Sequence, residues 1–343
     1  MPKCDLVLEG GGVKGIGLVG AVQALEAADY TFENLAGTSA GSIVAALLAV
    51  GYTGKELEEE LMRLDYTKFK QADLMDRLGL PGMMLSTALN LGVYKADNFE
   101  QWLFGLLARK RKTLFGDIRH SDRTSVSKPE WRMQAIASDV TDREMLVLPR
   151  DLVKYGIDPD SFSIARAVRM SISIPLFYEP CILRSKTGQE HLIVDGGLLS
   201  NYPLWLLDST ADPGRPVFGC KLSAGDGERT KPKPRQGHLP SFLSALISTA
   251  LDAHDNYYIS QKKGDHDRSI LISTDVTVKG KTISVSTTDF GISKEVSKGL
   301  FDNGRKAGEK FLSKWISKNG KRSSLVHKKI EAKKSRWMNF LDG

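Results

Sequence analysis

Ser39 lies between Gly37 and Gly41 in the pattern G-x-S-x-G. The pattern separates a predicted strand over residues 32–38 from an apolar run over residues 42–50, which indicates a buried helix. A strand-to-helix turn with small residues two positions before and after the serine is typical of a nucleophile elbow, which exposes the serine oxygen. Ser39 is therefore a candidate nucleophile. The alternative is that its side chain only caps the helix.

A serine nucleophile needs a base, and Asp195 is the candidate. It follows a predicted strand over residues 189–194 and precedes Gly196 and Gly197. Sites in open α/β sheets form at the carboxyl ends of strands, so this aspartate could take the Ser39 proton directly. The alternative is a simple tight turn. None of the six histidines has a sequence setting typical of a catalytic triad: His120, His191, His238, His254, His266 and His327.

A glycine-rich loop follows the first predicted strand, at residues 4–8. Three glycines have the G-x-G-x-x-G spacing of a dinucleotide-binding turn: Gly10, Gly12 and Gly15. A dinucleotide site also needs an acid at the end of the second strand, to hold a ribose. Glu33 precedes that strand, and Ser39 occupies the place of the acid. The spacing therefore does not predict a nucleotide site by itself.

The same loop could instead form an oxyanion hole. Amides near Gly11 and Gly12 would donate hydrogen bonds to a tetrahedral oxyanion, because glycine permits the backbone angles that turn N–H groups outward. Lys14 could add positive charge nearby, and the alternative for Lys14 is a solvated side chain at the start of a helix.

Together the three motifs resemble the patatin-like phospholipases. Members of that family have a glycine-rich oxyanion loop near the N-terminus, a G-x-S-x-G elbow and a D-G-[AG] motif with the catalytic aspartate. The corresponding segments here are residues 10–15 with Lys14, residues 37–41 and residues 195–197, in the same order. Three further blocks are similar: residues 167–180, 198–203 and 287–305. The resemblance covers roughly residues 4–313.

The resemblance implies a three-layer α/β/α sandwich with a central, mostly parallel sheet. It also implies a Ser–Asp dyad, in which Ser39 attacks a lipid ester, Asp195 removes its proton and water releases the fatty acid. The implied oxyanion loop comprises five residues: Gly10, Gly11, Gly12, Lys14 and Gly15. The expected substrate is a phospholipid or another lipid ester. No metal, nucleotide or other cofactor and no nucleic-acid partner are expected.

The 343 residues include 41% hydrophobic and 26% charged residues, which is ordinary for a globular protein with a sizeable core. A chain of this length fits one large α/β domain or two smaller ones. The predicted strands cover residues 4–8, 32–38, 131–138, 144–148, 189–194, 217–222, 269–273 and 281–286. The predicted helices cover residues 15–28, 42–50, 55–64, 98–109, 163–173, 241–260 and 293–314.

A catalytic domain is expected over residues 1–313, with an excursion or lid at about residues 76–117. Met83, Met84 and Leu85 in this excursion could line an acyl channel, contact a bilayer or form core beneath a long loop. No apolar run reaches the ~20 residues of a membrane-spanning helix, and the N-terminus lacks a signal-peptide layout. With only three scattered cysteines, these features favour a cytoplasmic protein that contacts membranes at their surface.

The positive charge is concentrated in the expected tail, residues 314–343. From Arg305 onward, twelve Lys and Arg residues face three acidic residues, whereas the net charge of the whole chain is +7. The tail combines these bases with Trp315, Trp337 and Phe340, a mixture suited to anionic lipid headgroups. Nucleic-acid binding and a merely solvated tail are the alternatives.

Three other functions remain open at this stage. They are an acyltransferase with the same nucleophile, a nucleotide-binding module that uses the glycine loop, and a membrane-binding scaffold that acts through the tail. The sequence leaves the oligomeric state undefined.

Overall fold

The computed structural model describes residues 1–65, 69, 71–72, 91–121, 129–208, 215–223, 245, 249, 265–285, 287, 289 and 291–319. The strands within these ranges are β1 (Lys3–Leu8), β2 (Thr31–Thr38), β3 (Gln71–Ala72), β4 (Gly92–Lys95), β5 (Met133–Asp139), β6 (Glu144–Leu148), β7 (Leu176–Tyr178), β8 (Cys181–Arg184), β9 (Glu190–Asp195), β10 (Val217–Ser223), β11 (Ser269–Ser273), β12 (Asp275–Val278) and β13 (Lys281–Ser284). The helices are α1 (Ile16–Ala27), α2 (Ala40–Val50), α3 (Gly54–Arg63), α4 (Asp97–Arg109), α5 (Ile164–Ser171), α6 (Trp205–Asp208) and α7 (Lys294–Asn319).

The central sheet has the strand order β11-β10-β1-β2-β5-β9-β8, and β6 pairs with β5 as well. The pairs from β11 to β5 are all parallel, whereas β9, β8 and β6 run antiparallel to their neighbours. The parallel pairs need crossover connections, and α1 supplies the one between β1 and β2. The predicted α/β fold with a mostly parallel sheet is confirmed.

Side chains on alternate positions of β1 enter two different cores. Leu6 and Leu8 belong to a large apolar cluster with residues of α1, α2, α3 and α7. Val7 points to the opposite face, where it packs in a second cluster with residues around α6 such as Leu206 and Leu207. A strand turns successive side chains to opposite faces, so two covered faces explain why Leu6, Val7 and Leu8 are all apolar. This arrangement gives the three layers that the sequence predicts.

Helices α1 and α7 cross at very short range because glycines lie at their contact. A Cβ atom added to Gly304 would lie 1.8 Å from the carbonyl oxygen of Gly17, and one added to Gly20 would lie 2.0 Å from that of Phe301. Neither backbone could move away without separating the helices. The predicted closing helix is therefore part of the core and continues through Asn319, beyond the expected domain boundary at residue 313.

Trp315 is half-buried and packs against the core, although the sequence composition groups it with the basic tail. Its ring contacts Phe218 edge-on at 5.0 Å and stacks on Phe311 at 5.9 Å between ring centroids. The first residues of the expected tail therefore continue α7 and pack against β10. The remainder, residues 320–343 with Trp337 and Phe340, lies outside the described residues.

The excursion expected at residues 76–117 is described only from residue 91 onward, so Met83, Met84 and Leu85 lie outside the described residues. In the described part, β4 pairs with β7. Phe99 and Leu103 of α4 are buried in the large cluster. The lid itself stays a prediction, but helix α4, which lies within the expected excursion, packs into the core.

Several short elements were not predicted. Strands β7 and β8 and the strand β12 of the β12–β13 hairpin have no counterpart in the sequence analysis. The predicted helix over residues 163–173 ends earlier, at Ser171. Most of the helix predicted over residues 241–260 lies outside the described residues. No helix in the described ranges is long and apolar enough to cross a membrane.

Substitution of Gly304 by Val should lower the free energy of unfolding by about 3 kcal/mol or more, because the added side chain meets the α1 backbone. Denaturant unfolding measures this loss. Gly105→Ala is the matched control, since a Cβ atom there has no neighbour within 4 Å and the position is helical and exposed. The control should gain up to about 1 kcal/mol from helix propensity. Equal stabilities for both variants would contradict the close crossing of α1 and α7.

Candidate active site

Strands β2 and β9 end next to each other in the sheet. Ser39 directly follows β2, and Asp195 is the last residue of β9. Along β5, Ile136 lies opposite Thr38 of β2, and the next residue, Ala137, lies opposite Asp195 of β9. Both β5 residues face β6 on their other side, so β2 and β9 share one edge of β5. Because β2 is parallel to β5 and β9 is antiparallel, their carboxyl ends meet there. The two predicted catalytic residues are thus brought together.

Ser39 has the strained backbone of a nucleophile elbow, with φ 50° and ψ −124°. A Cβ atom on Gly37 would lie 2.4 Å from the carbonyl carbon of Gly41, and one on Gly41 would lie 2.1 Å from the carbonyl oxygen of Leu8. The turn therefore requires glycine at both positions. The side chain of Ser39 makes no capping hydrogen bond to α2, so the alternative of a simple helix cap is wrong.

Hydrogen bonds fix the backbone of Ser39 on both sides. Its N–H donates to Oγ of Ser171 at 2.9 Å, and that hydroxyl donates in turn to the carbonyl oxygen of Ile136 at 2.6 Å. Its carbonyl oxygen accepts from the N–H of Ser42 at 2.8 Å and from the Ser42 hydroxyl at 2.6 Å. The strained conformation is thus held by buried groups of α2, α5 and β5.

Asp195 is held by backbone and side-chain groups around it. Its Oδ1 accepts from the N–H of Gly197 at 2.7 Å, its N–H donates to the carbonyl oxygen of Ser173 at 2.9 Å, and its carbonyl oxygen accepts from the Ser138 hydroxyl at 3.1 Å. A Cβ atom on Gly196 would lie 2.1 Å from the carbonyl oxygen of Ile136. The motif is indeed a tight turn, and the turn also orients the carboxyl group.

Burial raises the pKa of Asp195 from its ordinary value of 3.8 to about 7. The N–H of Gly197 and the hydroxyl of Ser39 act in the opposite direction and lower this pKa. The second carboxyl oxygen, Oδ2, is buried and has no well-aligned hydrogen-bond partner among the described residues. The carboxyl group is therefore poised to gain and lose a proton near neutral pH, which suits a general base.

The glycine loop lies beside Ser39. A Cβ atom on Gly10 would lie 3.2 Å from Cβ of Ser39. Gly12 has φ 56°, and a Cβ atom there would lie 2.0 Å from the carbonyl oxygen of Thr287. No described residue accepts a hydrogen bond from the amides of Gly11 or Gly12. Two backbone donors close to the nucleophile are thus available to a ligand.

The next residues of the loop connect it to α2. The N–H of Lys14 donates to the carbonyl oxygen of Gly11 at 3.2 Å, and the Lys14 side chain is half-buried beside the loop. A Cβ atom on Gly15 would lie 2.9 Å from Cβ of Ala40, at the first turn of α2. Glycine at this position lets the loop pack directly against the elbow.

Glu33, the acid considered for a nucleotide site, lies far from the loop. It is five residues before the end of β2, roughly 16 Å along the strand. Its carboxylate pairs with the ammonium group of Lys3 at 2.8 Å, near the amino ends of β1 and β2. The geometry therefore gives no support to the nucleotide-binding alternative.

An apolar pocket opens at Ser39. One wall consists of Ala40, Ile43 and Val44 of α2, and others come from the end of α3, from α4 and from the chain after α5. No charged side chain is among its described lining residues. The pocket suits a hydrocarbon chain.

Two of the described histidines, His120 and His191, make contacts away from Ser39 and Asp195. His120 contacts the side-chain oxygen of Asn34, and His191 contacts Asp139. Asp139, Asp142 and His191 offer ligand atoms within 4.8 Å of one another, the one grouping in the described ranges that could hold a metal ion. Asp139 already accepts hydrogen bonds from Tyr155 and from backbone amides, so the cluster is satisfied internally.

The sequence analysis did not identify Ser171 as part of the site. Its hydroxyl contacts a residue 132 positions away in the sequence, and no spacing rule connects the two segments. Asn201 and Thr287, which hold the glycine loop through hydrogen bonds to Gly10 and Val13, were noted only within blocks of family resemblance. Ser171 also lies within such a block, residues 167–180, and no other signal in the sequence singles it out.

Known proteins are similar to this chain in sequence and in fold. The family model described as Patatin-like phospholipase matches residues 6–208, a range that contains all three motifs. The chain is 39% identical over 316 residues to the uncharacterized protein YqhO of Bacillus subtilis (strain 168), with 91% of this chain and 98% of that protein covered. It is 26% identical over 208 residues to the cUMP-AMP-activated phospholipase of Escherichia coli, with 58% and 55% covered. VipD from Legionella pneumophila aligns with a TM-score of 0.49 at 20% identity, over 90% of this chain and 66% of that chain.

Substitution of Ser171 by Ala should lower the free energy of unfolding by about 1–3 kcal/mol, because the buried N–H of Ser39 loses its acceptor. Denaturant unfolding measures the loss. Ser42→Ala is the matched control. Ser42 is equally buried, but after the substitution its backbone N–H still donates to the carbonyl oxygen of Ser39. A loss in the control as large as that in Ser171→Ala would contradict this role of the Ser171 hydroxyl.

Proposed function

Because the chain belongs to the patatin-like phospholipase family, we propose that it hydrolyses lipid esters through an acyl-enzyme on Ser39. The observation that carries the proposal is the meeting of β2 and β9 along β5, which sets a strained serine beside a buried carboxyl group. The apolar pocket at the serine supports a substrate with a hydrocarbon chain. The family supports a hydrolase acting on lipids.

In the first step, Oγ of Ser39 attacks the ester carbonyl carbon while the Asp195 carboxylate takes the hydroxyl proton. A base with a pKa near 7 takes this proton more readily than an ordinary aspartate would. The proton then passes to the leaving alcohol as the tetrahedral intermediate collapses. An acyl group remains on Ser39.

The negative charge of the tetrahedral intermediate needs hydrogen-bond donors in place before the reaction. The amides of Gly11 and Gly12 are the proposed donors, since they lie in the loop beside Ser39 and have no acceptor within the described ranges. The half-buried Lys14 would add positive charge on this side of the site. Gly10 and Gly15 let the loop approach the elbow closely.

In the second step, Asp195 deprotonates a water molecule that attacks the acyl carbonyl carbon; the bond to Oγ of Ser39 then breaks, the fatty acid leaves, and Asp195 returns the proton to Oγ. An added alcohol could take the place of water, and the enzyme would then act as an acyltransferase. Product analysis with and without an acceptor alcohol separates the two reactions. Hydrolysis is the proposal because the family relatives with a stated activity are lipid hydrolases and phospholipases.

Ser39→Ala and Asp195→Asn should each lower kcat/KM for an ester substrate by at least about 10³-fold, because each removes a group that the chemical step requires. A spectrophotometric esterase assay on purified protein measures the loss. Ser161→Ala and Asp142→Asn, both exposed, are matched controls and should keep the parent rate. Full activity in either dyad variant would exclude the dyad, and thermal unfolding checks that all four variants fold.

The activity should depend on pH through Asp195, since only its carboxylate form can act as a base. With a pKa of about 7, kcat/KM should fall about tenfold per pH unit below 7 and level off above it. A pH–rate profile of the ester assay measures this. A profile that stays flat down to pH 5 would contradict an Asp195 base with a raised pKa.

The same titration should affect stability. Asp195 ionises near pH 4 in the unfolded chain but only near 7 in the folded protein, so the free energy of unfolding should fall as pH rises between these values. Asp195→Asn removes this contribution. The variant should therefore be more stable than the parent at pH 8, although it is inactive, and denaturant unfolding at pH 5 and 8 compares the two.

A further inference from the structure

Three aromatic side chains in the wall of the apolar pocket form one cluster. The ring centroids of Phe69 and Phe99 are 5.3 Å apart, and the Trp102 ring lies 5.6 Å from each of them. Phe69 and Phe99 are buried and Trp102 is half-buried, and all three line the pocket that opens at Ser39. This group is called the aromatic cluster below.

The helix that carries two of these rings is attached at the far end of α2 from Ser39. Beyond the last turn of α2, the Tyr52 hydroxyl donates to the carbonyl oxygen of Leu106 in α4 at 2.8 Å. The ammonium group of Lys110 lies 4.5 Å from the centre of the Tyr52 ring. Helix α2 is about 16 Å long and starts at the nucleophile. Helix α4, which carries two rings of the aromatic cluster, is therefore anchored at a point away from the reacting atoms.

The space between Ser39 and the aromatic cluster is bounded by apolar groups. Ile43 and Val44 lie one turn after Ser39 on the same side of α2, and Ile172 and Ile174 line the pocket as well. A hydrocarbon chain attached to the Ser39 oxygen could follow this surface without leaving a polar group of the protein unsatisfied. The aromatic cluster lines the same pocket, so it is part of the surface that such a chain would contact.

We propose that the aromatic cluster of Phe69, Phe99 and Trp102 limits the length of the acyl chain that the enzyme accepts. Packed rings in a buried cluster do not compress, so a chain that is too long must displace a ring. A chain that is too short leaves the pocket partly empty, and each missing methylene lowers kcat/KM roughly fourfold. The aromatic cluster is thus a specificity-determining element. This inference rests on the proposed function, because that function supplies the acyl chain.

The test uses p-nitrophenyl esters of saturated acids from butanoyl to octadecanoyl, with kcat/KM measured for each. For the parent protein, kcat/KM should rise with chain length to a maximum and then fall. Trp102→Ala should move the maximum to a longer chain by at least one member of the series. Ile43→Phe, which fills the pocket from the side of α2, should move it to a shorter chain. Phe104→Ala is the matched control, because Phe104 lies on the same helix but is 48% exposed and does not line this pocket.

A second readout does not depend on catalysis. In the Ser39→Ala background, saturated fatty acids of increasing length displace a fluorescent fatty acid from the pocket, with and without Trp102→Ala. The longest fatty acid that still competes tightly should be longer for the variant with Ser39→Ala and Trp102→Ala than for Ser39→Ala alone. For the variant with Ser39→Ala and Phe104→Ala, this longest acid should be the same as for Ser39→Ala alone.

The two readouts separate failure of the inference from failure of the proposed function. If esters are hydrolysed in a Ser39-dependent manner but Trp102→Ala and Ile43→Phe keep the parent maximum, the inference is overturned and the proposed function stands. If no ester is hydrolysed, the proposed function fails, and the displacement of the fluorescent fatty acid tests the inference alone. A longer competing acid with Trp102→Ala then supports the inference, and an unchanged chain length overturns it.

Discussion

The site depends on the way two strands share one edge of β5. β2 arrives in parallel and β9 in antiparallel orientation, so their last residues meet where Ile136 and Ala137 follow each other. A slip of the β5–β9 pairing by one residue would turn Asp195 to the other face of the sheet and separate it from Ser39. The antiparallel end of an otherwise parallel sheet is thus the feature that assembles the two residues.

This meeting point is unfavourable for stability in two respects. Ser39 holds a strained backbone conformation, and burial opposes the ionisation of Asp195. Other contacts offset both unfavourable contributions. They include the hydrogen bond to the hydroxyl of Ser171 and the packing of the two apolar cores on either side of β1. Functional sites commonly combine local strain with a well-packed surrounding structure, because the chemistry needs groups that are not at their most stable.

Local patterns in the sequence predicted the elements whose signal is contained within a few residues. The strand, glycine loop and helix at the N-terminus, the elbow at Ser39 and the strand end at Asp195 all follow from spacing and residue type. The Ser171 contact, the pairing of β4 with β7 and the packing of Trp315 depend on segments far apart in sequence, and no periodicity encodes such pairings. Composition placed Trp315 with the tail, but tertiary packing places it against the core.

The glycine loop owes its shape to the last part of the chain. Gly12 fits against the carbonyl group of Thr287, the N–H of Val13 donates to that same group, and α1 directly behind the loop is covered by α7. A growing chain on the ribosome lacks these contacts until residues 287–319 have been synthesised and released from the exit tunnel. The glycine loop precedes residues 287–319 in synthesis, so the nascent protein acquires its full set of site contacts only after this later segment has emerged.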